Sequence, residues 1–195
     1  MPTIAKKSCG TVRLTAEERS YEATYKVWFD FAVLISAHIL LLPIWILLWT
    51  FIPLCIWLGD RGPIFYRQQR AGKGGRPFTV VKFRTMVSDA DLKGPGWTVP
   101  GDPRITRVGR LLRNTALDEL PELISILKRD MSFVGPRALV VEEQRALEEQ
   151  IVGFEKRLQV SPGLTGLAQV YNSGDDSFRK FQYDLSYLDR MGPWL

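Results

Sequence analysis

Phe31-Ala-Val-Leu-Ile-Ser-Ala-His-Ile-Leu-Leu-Leu-Pro43-Ile-Trp-Ile-Leu-Leu-Trp-Thr-Phe-Ile-Pro-Leu-Cys-Ile-Trp-Leu58 is apolar except at Ser36, His38 and Thr50. Its length of about 28 residues exceeds the roughly 20 that cross a hydrocarbon core as a helix. The polar residues ahead of it and the lack of a small-residue cleavage site behind it argue against a secretory signal. Lys6, Lys7, Arg13, Arg19 and Lys26 precede the run, while Arg61, Arg67, Arg70, Lys73, Arg76, Lys82 and Arg84 follow it. Basic flanks favour the cytoplasmic side, so both ends are drawn to one face, which a straight span cannot satisfy. Pro43 removes a helical donor and permits a sharp bend. The pattern therefore predicts a re-entrant helix-break-helix over 27–59, broken at Pro43, that dips into one leaflet and returns. A single tilted span kinked at Pro43 is the alternative. Backbone groups freed at that depth need partners, which His38 or Ser36 can supply.

Working outward, 195 residues accommodate this element, an N-terminal extension over 1–26 and one cytoplasmic domain over 60–195, but not a polytopic carrier. The net charge of +5 suits an anionic partner: nucleic acid, nucleotide or, with an apolar run present, the acidic face of a bilayer. Two cysteines, Cys9 and Cys55, make neither a disulfide framework nor a thiolate metal cluster. The expected class is α+β. Gly62 to Met86 reads as two short strands around a glycine-rich turn at Gly72 to Gly75. Lys82 and Arg84 would share one strand face, as a phosphate platform or a patch for lipid headgroups. Asp89 to Pro100 is a Gly/Pro loop. Asp102-Pro103 can open a helix that buries Ile105, Val108, Leu111 and Leu112.

Arg113-Asn-Thr-Ala-Leu-Asp-Glu-Leu-Pro-Glu-Leu123, followed by Met131-Ser-Phe-Val-Gly-Pro-Arg137, sets the adjacent carboxylates Asp118 and Glu119 between two arginines. Carboxylates that meet Mg²⁺ and arginines that meet phosphate are the equipment of phosphoryl transfer, which needs charge neutralisation and positioning. A structural reading stands beside this one. Thr115 can N-cap a helix beginning near Ala116, with Asp118 completing a near capping box and Leu117, Leu120, Leu123, Ile124 and Leu127 at helical spacing. Further on, Glu142 to Glu155 reads as a solvated acidic helix, and Ser161 to Gln169 as a loop whose amides can approach a ligand. Phe178, Phe181, Leu185 and Leu188 mark a closing amphipathic helix for the membrane surface.

Several ordered motifs together resemble the small monotopic phosphoglycosyl transferases of the bacterial sugar transferase family. They are Gly62-Pro63-Ile64-Phe65, Lys82-Phe83-Arg84-Thr85-Met86, Asp118-Glu119-Leu120-Pro121, Met131 to Arg137, and Pro162-Gly163-Leu164-Thr165-Gly166 with Ala168-Gln169-Val170. The resemblance runs from about Tyr25 to the end of the chain.

It implies transfer of a sugar-1-phosphate from a UDP-sugar to polyprenyl (undecaprenyl) phosphate with release of UMP, the first membrane step of glycan assembly. It further implies Asp118 as a nucleophile that carries the phospho-sugar, Glu119 as a holder of Mg²⁺ beside it, and Arg113 and Arg137 near the substrate phosphates; the phosphate platform read above for Lys82 and Arg84 would add further contacts. The implied setting is the cytoplasmic leaflet of a bacterial inner membrane, with amphipathic helices at the interface, no nucleic-acid partner, and room for a homodimer. Three departures from the family pattern concern the donor site and the supports: Leu167 where Trp is frequent, Tyr171-Asn172-Ser173-Gly174-Asp175 where Asn-Gly-Arg is frequent, and Leu42-Pro43 in place of Ser-Pro. The chain also stops at Leu195, where many relatives continue into another helix. Two other classes use the same residues: a non-catalytic membrane-anchored binding protein and a Mg²⁺-dependent hydrolase of nucleotides or nucleic acid.

Overall fold

The computed structural model describes residues 25–90, 93, 101–171 and 176–191. Lys6 to Arg19 of the first basic flank, most of the 89–100 loop, residues 172–175 and the end of the chain at Leu195 lie outside them. Contacts divide the chain into two compact units, neither continuous in sequence. The first comprises Met1–Val33, Gln69–Thr79 and Ser125–Leu195, and the second Leu34–Gln68 and Val80–Ile124.

The apolar run forms two helices, α1 over Val27–Leu40 and α2 over Leu42–Asp60, separated at Leu41. Pro43 falls in the first turn of α2, where its missing N–H is no loss. The break is bonded internally. His38 Nδ1 donates to the Leu34 carbonyl at 2.7 Å, which places the ring proton on Nδ1. Trp45 Nε1 donates to the Ala37 carbonyl at 3.1 Å, and its ring stacks on His38 with centroids 4.4 Å apart. His38 is a hydrogen-bonding group as expected, but the Leu34 carbonyl lies inside α1 and is not the Ile39 carbonyl that Pro43 leaves without a donor, and Trp45 bonds a carbonyl that also accepts the Leu41 N–H. Among the described residues, α2 is the one helix long and apolar enough to cross a membrane, with a mean hydropathy of 2.0 and little of it buried in the protein. Leu42, Ile44, Ile46, Leu47, Phe51 and Leu58 are all exposed, whereas a helix inside a soluble core would bury them.

The face of α2 that is buried builds the second unit. Ile52 and Ile56 meet Phe83 and Leu112, with Trp49, Ile64, Val108, Leu117 and Leu120 packed around them. Phe83 closes strand β2 (Pro77–Phe83), which pairs with β1 (Phe65–Ala71) in the expected hairpin. Helix α3 spans Arg107–Asn114, later than expected. Asp102 turns back on its own neighbourhood, accepting the Arg104 N–H at 3.0 Å and its Nη2 at 2.6 Å, so Thr106 becomes the N-cap, taking the Gly109 N–H at 2.8 Å. Leu112 is buried as expected, but Leu111 is exposed together with Arg107, Arg110 and Asn114, the opposite face of the same helix.

In the first unit, β3 (Ser132–Val134) and β4 (Gly163–Thr165) pair in parallel, Ser132 opposite Gly163 and Val134 opposite Thr165. Helix α4 (Leu123–Leu127) precedes β3, α5 (Val141–Gln150) follows it, and α6 (Leu167–Tyr171) and α7 (Ser177–Arg190) close the chain. The apolar face of α7 was expected on a membrane surface; instead Phe181 and Leu188 are buried, with Tyr187, Leu188, Val160 and Met191 forming a core cluster. Arg157, itself buried, joins three segments. Its Nε pairs with Asp184 of α7 at 2.8 Å, its Nη1 reaches Gln144 of α5 at 2.9 Å, and its Nη2 reaches the Arg137 carbonyl at 2.7 Å.

Candidate active site

The Asp118-Glu119 pair does not open an α-helix. Thr115 ends α3, its hydroxyl donating back to the carbonyls of Leu111 at 2.9 Å and Leu112 at 3.2 Å, so the expected N-cap and capping box are absent. Ala116 then adopts a left-handed conformation at φ 54°, which costs a non-glycine residue about 1–2 kcal/mol. A 3₁₀ turn follows over Leu117–Glu122, with Glu119 N–H bonded to the Ala116 carbonyl at 3.2 Å. Leu117 and Leu120 pack into the core of the second unit and Pro121 is buried, which fixes the turn and leaves Asp118 and Glu119 half-buried beside it.

Lys82 reaches this turn from β2. Its Nζ lies 2.6 Å from Glu119 Oε1 and 2.9 Å from Glu122 Oε1. Glu122 is buried, and the sequence reading passed over it. The available signal was a third carboxylate within five residues, one helical turn beyond Asp118. Arg113, at the end of α3, donates from Nε to Thr85 Oγ1 at 2.8 Å, making Thr85 another supporting residue that the motif held unrecognised. Burial is the main cause that raises the Asp118 carboxyl above the usual aspartate range; the Glu119 charge adds to it, and Lys82 and Arg113 oppose it.

Asp118, Glu119, Lys82 and Arg113 are thus gathered in the second unit. Arg84 belongs to the same unit but turns to Asp60 at the end of α2, with which it forms an ion pair. It packs so closely over Gly62 that a Cβ there would lie 2.3 Å from Arg84 Nη1. Lys82 and Arg84 therefore serve different carboxylates, because the strand ends at Phe83 and its alternation goes no further. The Arg84 Nε and Nη1 are buried without a hydrogen-bond partner among the described residues. Arg137 lies in the first unit, its side chain exposed and its backbone bridged to Gly163.

Comparison with known proteins adds to this geometry. A family described as Bacterial sugar transferase matches residues 21–195. The chain is 36% identical over its whole length to a Komagataeibacter xylinus protein named undecaprenyl-phosphate glucose phosphotransferase, of which it covers 40%. Over 72% of its length it is 39% identical to the UDP-glucose:undecaprenyl-phosphate glucose-1-phosphate transferase of Caulobacter vibrioides, covering 55% of that protein. Over 73% it is 40% identical to an exopolysaccharide production protein of Rhizobium leguminosarum, covering 71% of it. With the carboxylate turn inside the matched region and the match spanning nearly the whole chain, the protein belongs to the bacterial sugar transferase family.

Proposed function

We propose that the chain transfers a sugar-1-phosphate from a UDP-sugar to a polyprenyl phosphate and releases UMP. The observation that carries this reading is a half-buried aspartate, paired with a glutamate and faced by a lysine and an arginine, in a chain with a membrane-grade helix and relatives named for this reaction. An Asp118 oxygen attacks the sugar-bearing phosphorus, and the bond to the UMP oxygen breaks with its electron pair leaving on UMP. The resulting acyl phosphate is attacked at phosphorus by an oxygen of polyprenyl phosphate, which restores the carboxylate. Dividing the reaction in this way lets one site serve a water-soluble donor and a lipid acceptor in turn. Arg137 is assigned to substrate phosphate, whose planar recognition suits a guanidinium, and Arg113, within the second unit, to a contact of the same kind.

The donor set fits Mg²⁺. Asp118, Glu119 and Glu122 supply hard oxygen atoms, though no cluster of three or more ligating side chains is assembled among the described residues. That suits an ion bound through one or two carboxylates, with substrate phosphates and water as its other ligands. Asp118 and Glu119 would hold it, and when bound it neutralises charge on the diphosphate. Purified protein is expected to release UMP from at least one of a panel of UDP-sugars only when polyprenyl phosphate is present, beyond one equivalent per chain, and to stop on chelation of divalent ions. Sustained release without acceptor would mark a hydrolase, and no release with any donor a binding protein.

We further propose that α1 and α2 dip into the cytoplasmic leaflet and return, supported by the break at Leu41, the proline after it and the basic flanks. In cells whose own cysteines are replaced, Tyr25→Cys and Tyr66→Cys should both be shielded from an impermeant thiol reagent added outside and both react after the membrane is opened. Labelling of one of the two from outside would mean a full span.

A further inference from the structure

Among the described residues, strand β3 has β4 on one edge only, and its other edge is closed by side chains. Asp30 Oδ1 accepts the Phe133 N–H at 3.4 Å. Lys26 Nζ donates to the Val134 carbonyl at 2.5 Å, and Tyr187 Oη of α7 donates to the same carbonyl at 3.0 Å. Lys26 also hydrogen-bonds the Tyr187 hydroxyl, with its Nζ 5.0 Å from the ring centroid. Lys26 and Asp30 stand one helical turn apart and are only 6% and 7% exposed, while Trp28 and Phe29 between them are 70% and 59% exposed. Burying an ammonium and a carboxylate is costly unless both are paired, so this turn is oriented by what its charged groups bind, while Trp28 and Phe29 face away from the protein. An unpaired strand edge inside a protein needs partners for its N–H and C=O groups, and Lys26, just ahead of α1, and Asp30, in its first turn, supply them in place of a third strand.

The edge held in this way leads directly into Gly135-Pro136-Arg137. A Cβ on Gly135 would lie 2.6 Å from the Ser161 carbonyl oxygen, so the chain admits only glycine there. Gly135 N–H bonds to the Thr165 carbonyl at 2.8 Å, and Gly163 N–H to the Pro136 carbonyl at 2.9 Å. The segment is clamped by β4 on one side and by Lys26, Asp30 and Tyr187 on the other. We infer that Lys26 and Asp30 are positioning residues for Arg137, fixing the backbone from which this arginine meets substrate to the start of α1. The inference rests on the phosphate-binding role proposed above for Arg137.

Amide hydrogen exchange and steady-state kinetics on the full chain test it together. Lys26→Met should speed exchange of the 133–137 amides about tenfold while leaving the α7 core amides unchanged, and Lys26→Arg should restore slow exchange. UMP release by Lys26→Met should fall about tenfold in kcat/KM. In the Arg137→Lys background the same substitution should cost less than about twofold, because residues acting as a unit are not additive. Should Lys26→Met fail to fold, Tyr187→Phe, which removes one donor from Val134, should show the same pattern in weaker form. Unchanged exchange at 133–137, or losses that multiply across the two sites in an active parent, would overturn the inference alone. A parent inactive on every UDP-sugar would overturn the proposed reaction and this inference with it.

Discussion

Asp118→Asn is expected to abolish acceptor-dependent UMP release, by at least about a thousandfold, and at the same time to raise the melting temperature of the protein at neutral pH. The two effects have one origin. The carboxyl of Asp118 is held above the ordinary aspartate range chiefly by burial, with the neighbouring Glu119 charge in the same sense, so the folded chain binds this proton more tightly than the unfolded chain does. A group shifted in this direction lowers stability as pH rises from the unfolded value through the folded one, and the penalty is complete above the folded value. Asparagine carries no charge to bury and removes the penalty, but its amide cannot attack phosphorus. Melting curves should therefore converge as pH falls through the carboxylate range, because protonation does to the parent what the substitution does to the variant. Parent turnover should decline over the same interval, beginning at a higher pH than an ordinary aspartate would give. Incubation with UDP-sugar and no acceptor should add one phospho-sugar to the parent mass, on the peptide containing Asp118, and nothing to the variant. An adduct on another peptide, or near-parent turnover by the variant, would sink the nucleophile assignment in favour of direct displacement by polyprenyl phosphate.

The sequence was most legible where one force dominates. The apolar run and the hairpin around Gly72 to Gly75 follow from hydropathy and glycine backbone freedom and appear at the residues that carry those properties, whereas the break expected at Pro43 falls at Leu41, with Pro43 in the first turn of the second helix. Legibility failed where side chains compete locally for the backbone. Asp102 and Thr106 are both good N-caps, and nothing in their spacing says that Arg104 will occupy the first and leave the helix to the second. Thr115 is likewise a fair N-cap whose hydroxyl is taken by the helix behind it. Pro121 then denies the turn the N–H that would have answered the Leu117 carbonyl, so leucines at α-helical spacing form a 3₁₀ turn instead.

Charge pairing is a tertiary property and was the least visible. Lys82 was readable as a strand cation, but that it sits between Glu119 and Glu122 depends on β2 and the carboxylate turn meeting across 37 residues of chain. The consequence is chemical: Lys82 acts first on the carboxylates, holding Glu119 in place and favouring ionised Asp118. The same holds for α7, whose 3.6-residue periodicity identified an amphipathic helix without saying what it faces. Burial of Phe181 and Leu188, and the Arg157 link to Asp184, assign that face to the protein.

Gly109→Ala is expected to have the largest effect on folding of any single methyl added to the described glycines of the second unit. A Cβ at Gly109 would lie 1.9 Å from the Thr85 carbonyl oxygen and 2.5 Å from its carbon, both backbone atoms that no rotamer change can move. Thr85 is fixed in turn, since its carbonyl accepts the Thr106 N–H at 3.0 Å and its hydroxyl accepts Arg113 Nε at 2.8 Å. The collision can be relieved only by lifting α3 away from Thr85, which separates the cap of α3 from its anchor and carries Arg113 off with it. Overpacking of this kind costs about 3 kcal/mol, a large part of the stability of an ordinary domain. Gly59, near the end of α2, is the control, because a Cβ there meets nothing within 4 Å and alanine favours a helix by about 1 kcal/mol. Thermal unfolding in detergent should place the Gly109→Ala midpoint well below that of the parent and Gly59→Ala at or above it. Activity measured below both midpoints should remain in the second and be largely lost in the first, through displacement of Arg113. A Gly109→Ala protein as stable as the parent would mean that α3 does not lean on Thr85, and that Arg113 is held in place by something other than this contact.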